Sequence, residues 1–146
     1  MDLVVKERVF VSPTLAVFEK RSGQKGASES DAIGFANMLK FVGLCHRAGG
    51  KVVVGSHTTA PHAEVGRAYQ RELELLVESG LSPLEAITAG TLNNAQFFGA
   101  DDRLGSIEPG KLADLILIEG NPSRDIRAMK NVRHVILNGI WQSGPN

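Results

Sequence analysis

Along the first two thirds of the chain, short unbroken apolar runs alternate with apolar residues at helical spacing, and the last third is β-rich. Residues 8–12, RVFVS, are short, apolar and β-rich, and Pro13 follows, which predicts a strand whose chain exits into a loop. The polar, Gly- and Ser-rich stretch EKRSGQKGASESD (19–31) predicts that this loop is long, on the surface and mobile. Phe35, Met38, Leu39, Val42 and Cys45 then recur at helical spacing, with Ser30 or Asp31 as the cap and Gly49-Gly50 as the stop. Residues 52–54 are consecutive valines; with no alternation to leave a solvent side, they predict a parallel strand covered on both faces. Strand, helix and strand make one crossover unit.

Gly55 ends that strand and releases Ser56, His57, Thr58 and Thr59 into a polar loop that closes with His62. Val65, Ala68, Tyr69, Leu73, Leu76 and Val77 form a second helical stripe, stopped by Gly80 at a C′ position. Ser82-Pro83-Leu84-Glu85 then supplies an N-cap serine, a first-turn proline and a capping-box glutamate. Leu84, Ile87, Thr91, Leu92 and Ala95 continue the buried face of one helix to Gly99. Pro109-Gly110 marks a turn, 112–118 a strand, 120–131 a connection with one helical turn, and 132–137 another strand. Asn138-Gly139 is a two-residue hairpin signal with Ile140 and Trp141 on the return strand.

Composition narrows what this order of elements can do. At 146 residues and 42% hydrophobic, the chain can cover a real core. Lys plus Arg and Asp plus Glu number 16 each, and no stretch concentrates the basic residues, so neither a nucleic acid nor a membrane surface is an expected partner. Cys45 is the only cysteine; no internal disulfide can form, a Cys-based zinc site is excluded, and a reducing cytoplasmic setting fits. Apolar runs fall far short of the roughly 20 residues that span a bilayer, and the opening MDLVVKERVF carries charges where a signal peptide needs an apolar stretch. Two parallel strands are too few for a barrel, which takes eight strands and about 250 residues, or for a comfortable doubly wound sheet, so the chain reads as part of something larger.

The helix pair ELELLVESGLSPLEAITAGTLNNA, the segment GSIEPGKLADLILI and the later VRHVILNGIW resemble the C-terminal region of the amidohydrolase superfamily, especially its imidazolonepropionase-like and prolidase-like metal-dependent hydrolases. The resemblance covers residues 9–141. It implies an α/β fold: the C-terminal fragment of a (β/α)8 TIM-type barrel, with 8–12 and 52–54 as its last two strands, followed by strands of a small composite β-sandwich. Residues 1–103 would be the barrel part and 104–146 the sandwich part, and the other half of the sandwich and the earlier strands are not in this sequence.

Active sites of such barrels lie at the carboxyl ends of strands, which is where the Ser56–Thr59 loop emerges. Family members usually carry an aspartate there, in a GTD or GSD context, that contacts the metal and takes a proton from the attacking water. Here the matching GSH places His57 at that position, so the resemblance makes His57 the candidate catalytic and metal-binding residue. An imidazole can ligate zinc through a neutral nitrogen or act as a base, but it brings no negative charge to the ion. The bland alternative is a loop histidine bonded to a neighbouring hydroxyl or carbonyl. Ser56, Thr58, Thr59 and His62 are candidate substrate-binding residues, although hydroxyls after a strand often serve only the loop backbone and His62 could cap the next helix.

His46 at a helix end and His134 mid-strand read as structural, Cys45 as core, and Pro109-Gly110-Lys111 as a turn that lacks the spacing of a phosphate loop. Arg67, Arg71 and Glu72 read as surface contacts and loop support.

The family's other ligands, an HxH pair, a mid-barrel lysine or glutamate and two later histidines, have no counterpart in the chain. Zinc or another divalent metal is therefore expected in the complete enzyme and none on this chain alone, because a catalytic site needs three protein ligands and an open position. The expected function is that of the C-terminal fragment of a metal-dependent hydrolase acting on C–N bonds, amide or dipeptide-like, of small molecules, inactive by itself. The rival expectation is a non-catalytic binding or assembly module derived from the same fold. Unpaired barrel strands also imply a homo-oligomer or a complex with the complementary N-terminal half.

Overall fold

A computed structural model describes residues 2–23, 26–55 and 66–142 of the chain. After a short helix α1 (Asp2–Lys6), strand β1 (Phe10–Val11) is followed by helices α2 (Leu15–Ser22) and α3 (Glu29–Arg47) and strand β2 (Lys51–Val52). The two strands pair in parallel, Phe10 opposite Lys51 and Val11 opposite Val52, and the Val53 N–H extends the ladder to the Val11 carbonyl at 3.0 Å. Val52, Val53 and Val54 are all buried, as an unbroken valine run requires.

The expected long loop after β1 is instead mostly helix. Leu15, Ala16 and Val17, at the start of α2, are 0%, 4% and 7% exposed, and this apolar anchor lies ahead of the polar stretch that suggested a loop. Likewise, α3 is capped by Ser28, not Ser30 or Asp31. The Ser28 hydroxyl accepts from the Asp31 N–H at 3.3 Å, and the Asp31 carboxylate accepts from the Ser28 N–H at 2.9 Å, which makes Asp31 the third residue of a capping box.

Helix α4 (Arg67–Glu78) buries Ala68, Leu73, Leu75 and Leu76 against α2, α3 and the strands, where they form the core with Leu15, Val42, Val52 and Val54. Gly80, with φ +109°, follows its end. The capping box at Ser82 opens α5 as expected: the Glu85 carboxylate accepts from the Ser82 N–H at 2.7 Å.

The single helix expected from Ser82 to Gly99 is two, α5 (Pro83–Gly90) and α6 (Leu92–Phe97), broken at Thr91 (φ −123°, ψ −88°). The Tyr69 hydroxyl donates to the Gly90 carbonyl at 2.7 Å at that break. The buried face also differs: Ala86, Ala89 and Ala95 point inward while Leu84 is 60% exposed. Small residues let α5 approach closely enough for the Val54 N–H to reach the Ala89 carbonyl at 3.3 Å, which a leucine face would have prevented.

From there the chain forms an antiparallel sheet in the order β3 (Leu115–Ile118), β4 (Val132–Leu137), β5 (Ile140–Gln142). Asn138 and Gly139 turn the β4–β5 hairpin with φ of +50° and +76°, the positive pair that the Asn-Gly signal predicts. A 3₁₀ turn (Ile126–Lys130) between β3 and β4 buries Ile126 and docks on α4, where Lys130 pairs with Glu74 at 2.6 Å. No helix among the described residues is long and apolar enough to cross a membrane.

Candidate functional site

The carboxyl ends of β1 and β2 lie side by side. A Cβ added at Gly55 would sit 2.6 Å from the Ser12 Oγ and 3.5 Å from the Thr14 Cγ2, so the two strand ends lie against each other there. Thr14 adopts φ +49°, a left-handed conformation that is strained for a β-branched residue. Behind this turn stands Glu72 of α4, 0% exposed, whose two oxygens accept the Leu15 and Ala16 N–H groups at 2.8 Å each. Burial pushes its carboxyl up to about 7, outweighing the two amide bonds that pull it down, and Glu19 adds to the rise.

On the far side of β2, the backbone edge is held by side chains. Asn93 donates to the Val52 carbonyl at 2.8 Å, and Asn94 both donates to the Val54 carbonyl at 3.0 Å and accepts from the Val54 N–H at 3.2 Å.

Ser56, His57, Thr58, Thr59 and His62 lie outside the described residues, as does Val65 of the expected helical stripe. His46 sits in the last turn of α3 with its Nε2 3.2 Å from the Glu85 carboxylate, and His134 is exposed on β4 with its ring edge-on to Trp141 at 5.0 Å. Both are in keeping with a structural role. Cys45 is fully buried, and burial raises its thiol pKa. Lys111 closes a local turn onto Ser106 at 2.5 Å. Arg71, expected to make general surface contacts, gathers Glu19, Glu74 and Glu78 at 2.5, 2.8 and 2.8 Å and so ties α2 to α4.

Glu72, expected to make surface contacts and support a loop, is instead fully buried and bonded to backbone, and sequence reasoning passed over Thr14, Asn93 and Asn94. For Glu72 there was a signal: it lies four residues from both Ala68 and Leu76, inside the apolar stripe. Adjacent asparagines in a helical pattern were a weaker one, since asparagine tends to bond backbone groups elsewhere. Nothing in the residue type announces the left-handed Thr14.

A cavity of about 630 Å³ opens between α5, α6 and β3, lined chiefly by Ile87, Ala95, Phe98, Leu104, Ile107 and Leu115. It shares only Asn94 with the residues that frame the strand ends. Among the described residues, no three His, Cys, Asp or Glu side chains come together to hold a metal ion, so these residues do not fit the metal centre that the resemblance implies.

Residues 4–141 match the profile of the Amidohydrolase family. The chain belongs to that family. It is 39% identical over 88 residues to an adenine deaminase of Clostridium botulinum (strain Loch Maree / Type A3), an overlap covering 60% of this chain and 14% of that protein. Over 41 residues it is 54% identical to adenine deaminase 3 of Rhizobium meliloti (strain 1021), covering 28% of this chain and 7% of that one.

Among solved structures, it superposes on a Xaa-Pro dipeptidase with bound methionine at a TM-score of 0.83 and 29% identity, covering 98% of this chain and 36% of the other. A putative prolidase from Bifidobacterium longum gives 0.80 and 34%, with coverages of 93% and 35%. This amidohydrolase chain therefore spans about a third of the length of those structures and a seventh or less of the two deaminases.

Proposed function

We propose that this chain is the C-terminal portion of an amidohydrolase that hydrolyses C–N bonds, amide or dipeptide-like, in small molecules. Deamination and dipeptide cleavage, the reactions in the names of its relatives, both break such a bond. The observation that carries the proposal is the family match over 4–141 together with two parallel strands whose carboxyl ends meet at Ser12, Thr14 and Gly55. In this proposal β1 and β2 are the last two strands of a TIM-type barrel, 1–103 is the barrel part, and 104–146 is part of a composite β-sandwich.

His57, two positions beyond Gly55, is assigned the proton-accepting role that the family's aspartate usually fills, its reference pKa near 6.5 suiting a base at neutral pH. Ser56, Thr58, Thr59 and His62 are assigned to substrate. Zinc or another divalent metal belongs to the complete enzyme and would polarise the scissile group there; its ligands lie beyond the residues described here.

A complementary N-terminal half, or a second copy of the chain, is proposed as partner. Ile33, Phe41 and Leu44 fall on one side of α3 and are 54%, 45% and 51% exposed, an apolar stripe without a cover among the described residues.

The test measures zinc content and amide, dipeptide and adenine hydrolysis on this chain alone and on a full-length parent. Turnover and metal are expected only in the parent, where His57→Ala lowers kcat. Stoichiometric zinc or turnover in the chain alone would refute the fragment assignment. If neither His57→Ala nor His57→Asp alters catalysis in the parent, the non-catalytic module is the better account of this segment.

A further inference from the structure

A carboxylate inside an apolar helix stripe is expensive unless charged partners or hydrogen bonds compensate it. Glu72 faces no cation among the described residues: Arg71 is engaged by Glu19, Glu74 and Glu78, and Lys130 by Glu74. Among the described residues it is compensated by the pair of N–H groups of Leu15 and Ala16, the first residues of α2, whose amides have no carbonyl partner within their own helix. A serine or aspartate at the helix start would satisfy such amides locally. Here the acceptor comes from 57 residues further along the chain, which fixes α4 to the end of β1.

Two further observations show what that link holds. Thr14, immediately before the gripped amides, is left-handed at φ +49°, and a strained conformation of this kind persists only where its surroundings over-determine it. Ser12 and Thr14 in turn abut Gly55, with Ser12 exposed at the strand end. Grip, strained turn and strand-end contact are continuous in space.

The geometry points to Glu72 as a positioning residue that clamps the Ser12–Pro13–Thr14 turn in its left-handed form and so sets Ser12 and Thr14 against the carboxyl end of β2. The inference deepens the hydrolase proposal and rests on it for the claim that this strand end belongs to an active site. Glu72 touches no reacting atom; it acts through the turn.

The test uses two arms. On this chain, the NMR cross-relaxation between the Ser12 β-protons and the Gly55 α-protons reports the strand-end contact. At pH 8, where the Glu72 carboxyl is ionised and both of its oxygens accept, Glu72→Gln, which offers one acceptor and one donor, is expected to abolish it. Thr14→Gly in the Glu72→Gln background is expected to restore it at least in part, because glycine enters the left-handed region without the strain that the clamp has to offset. Contact unchanged in Glu72→Gln, or not restored by the glycine, overturns the clamp. Should Glu72→Gln fail to fold, Glu72→Asp, which withdraws the carboxylate by one methylene, is read in the same way.

In the full-length parent, Glu72→Gln is expected to lower kcat by about tenfold or more with little change in KM, and the Thr14→Gly double variant to recover it, since small misplacements at a site carry penalties of that size. Normal kcat in Glu72→Gln would overturn the positioning role. A parent without any C–N hydrolysis would sink the functional proposal while leaving the NMR result standing.

Discussion

Glu72 makes stability depend on pH in a direction opposite to that of most carboxylates. Its folded pKa is raised from 4.5 to about 7, so between those values the folded chain keeps a proton that the unfolded chain has released. Stability is therefore fully present below the unfolded value, falls as pH rises through the window and levels off above the folded value. At about 1.36 kcal/mol for each pH unit of separation, the whole effect is about 3 kcal/mol, about three quarters of it between pH 5 and 8.

Glu72→Gln removes the titration and leaves a side chain of nearly the same size. Urea unfolding of both proteins at pH 5 and pH 8 is the assay. The unmodified chain should lose roughly 2–3 kcal/mol more than the variant between the two conditions. Equal losses would show that Glu72 does not hold its proton above the ordinary carboxylate range, and the account of its burial would fail. Glu85, which is lowered by its bonds to Ser82, changes stability only under more acid conditions and does not confuse the comparison.

Three other outcomes follow from packing. Leu76→Ala, at a fully buried position of α4, is expected to cost about 2–5 kcal/mol in urea unfolding. Gly55→Ala drives a methyl toward the Ser12 Oγ, which the exposed hydroxyl relieves by rotating, so it should shift the Ser12 and Thr14 amide resonances at a cost within about 0.5 kcal/mol. Sedimentation at micromolar concentration should show an oligomer; a compact monomer would leave the α3 stripe of Ile33, Phe41 and Leu44 without the proposed cover.

The elements that sequence located correctly are those with a local cause. The α5 capping box is written in Ser82 and Glu85, the β4–β5 hairpin in Asn138-Gly139, and the pairing of β1 with β2 in an unbroken valine run that needed cover on both faces. The failures share a different cause. α2 is stabilised from elsewhere, by core burial of Leu15 to Val17 and by Glu72, so a window over the polar residues 19–31 saw only a loop. The inward face of α5 is alanine because a strand backbone passes close by, and hydrophobicity alone put Leu84 there instead. At the candidate site, His57 lies outside the described residues, and the support for the strand ends was not legible in the sequence. A left-handed threonine and a carboxylate that reaches across 57 positions are facts of tertiary structure.

The outer edge of β2 sets a condition on the barrel proposal. Val53 bonds toward β1, so Val52 and Val54 direct their backbone groups to the opposite side, where a further strand would have to pair. Those groups already make three bonds to Asn93 and Asn94. A complementary half that adds its strand at this edge exchanges side-chain bonds for ladder bonds, an exchange with little net gain. Its affinity must then come from covering apolar surface such as the α3 stripe.

Asn94→Ala separates the two contributions. In this chain alone it strips partners from the Val54 carbonyl and weakens those of its N–H, for an expected loss of about 1–3 kcal/mol in urea unfolding. In a titration with the complementary half, the freed edge should instead tighten association, because no bond has to be surrendered first. Weaker association in the variant would mean that the asparagine cap remains in place in the assembled enzyme and that the new strand enters beside β1.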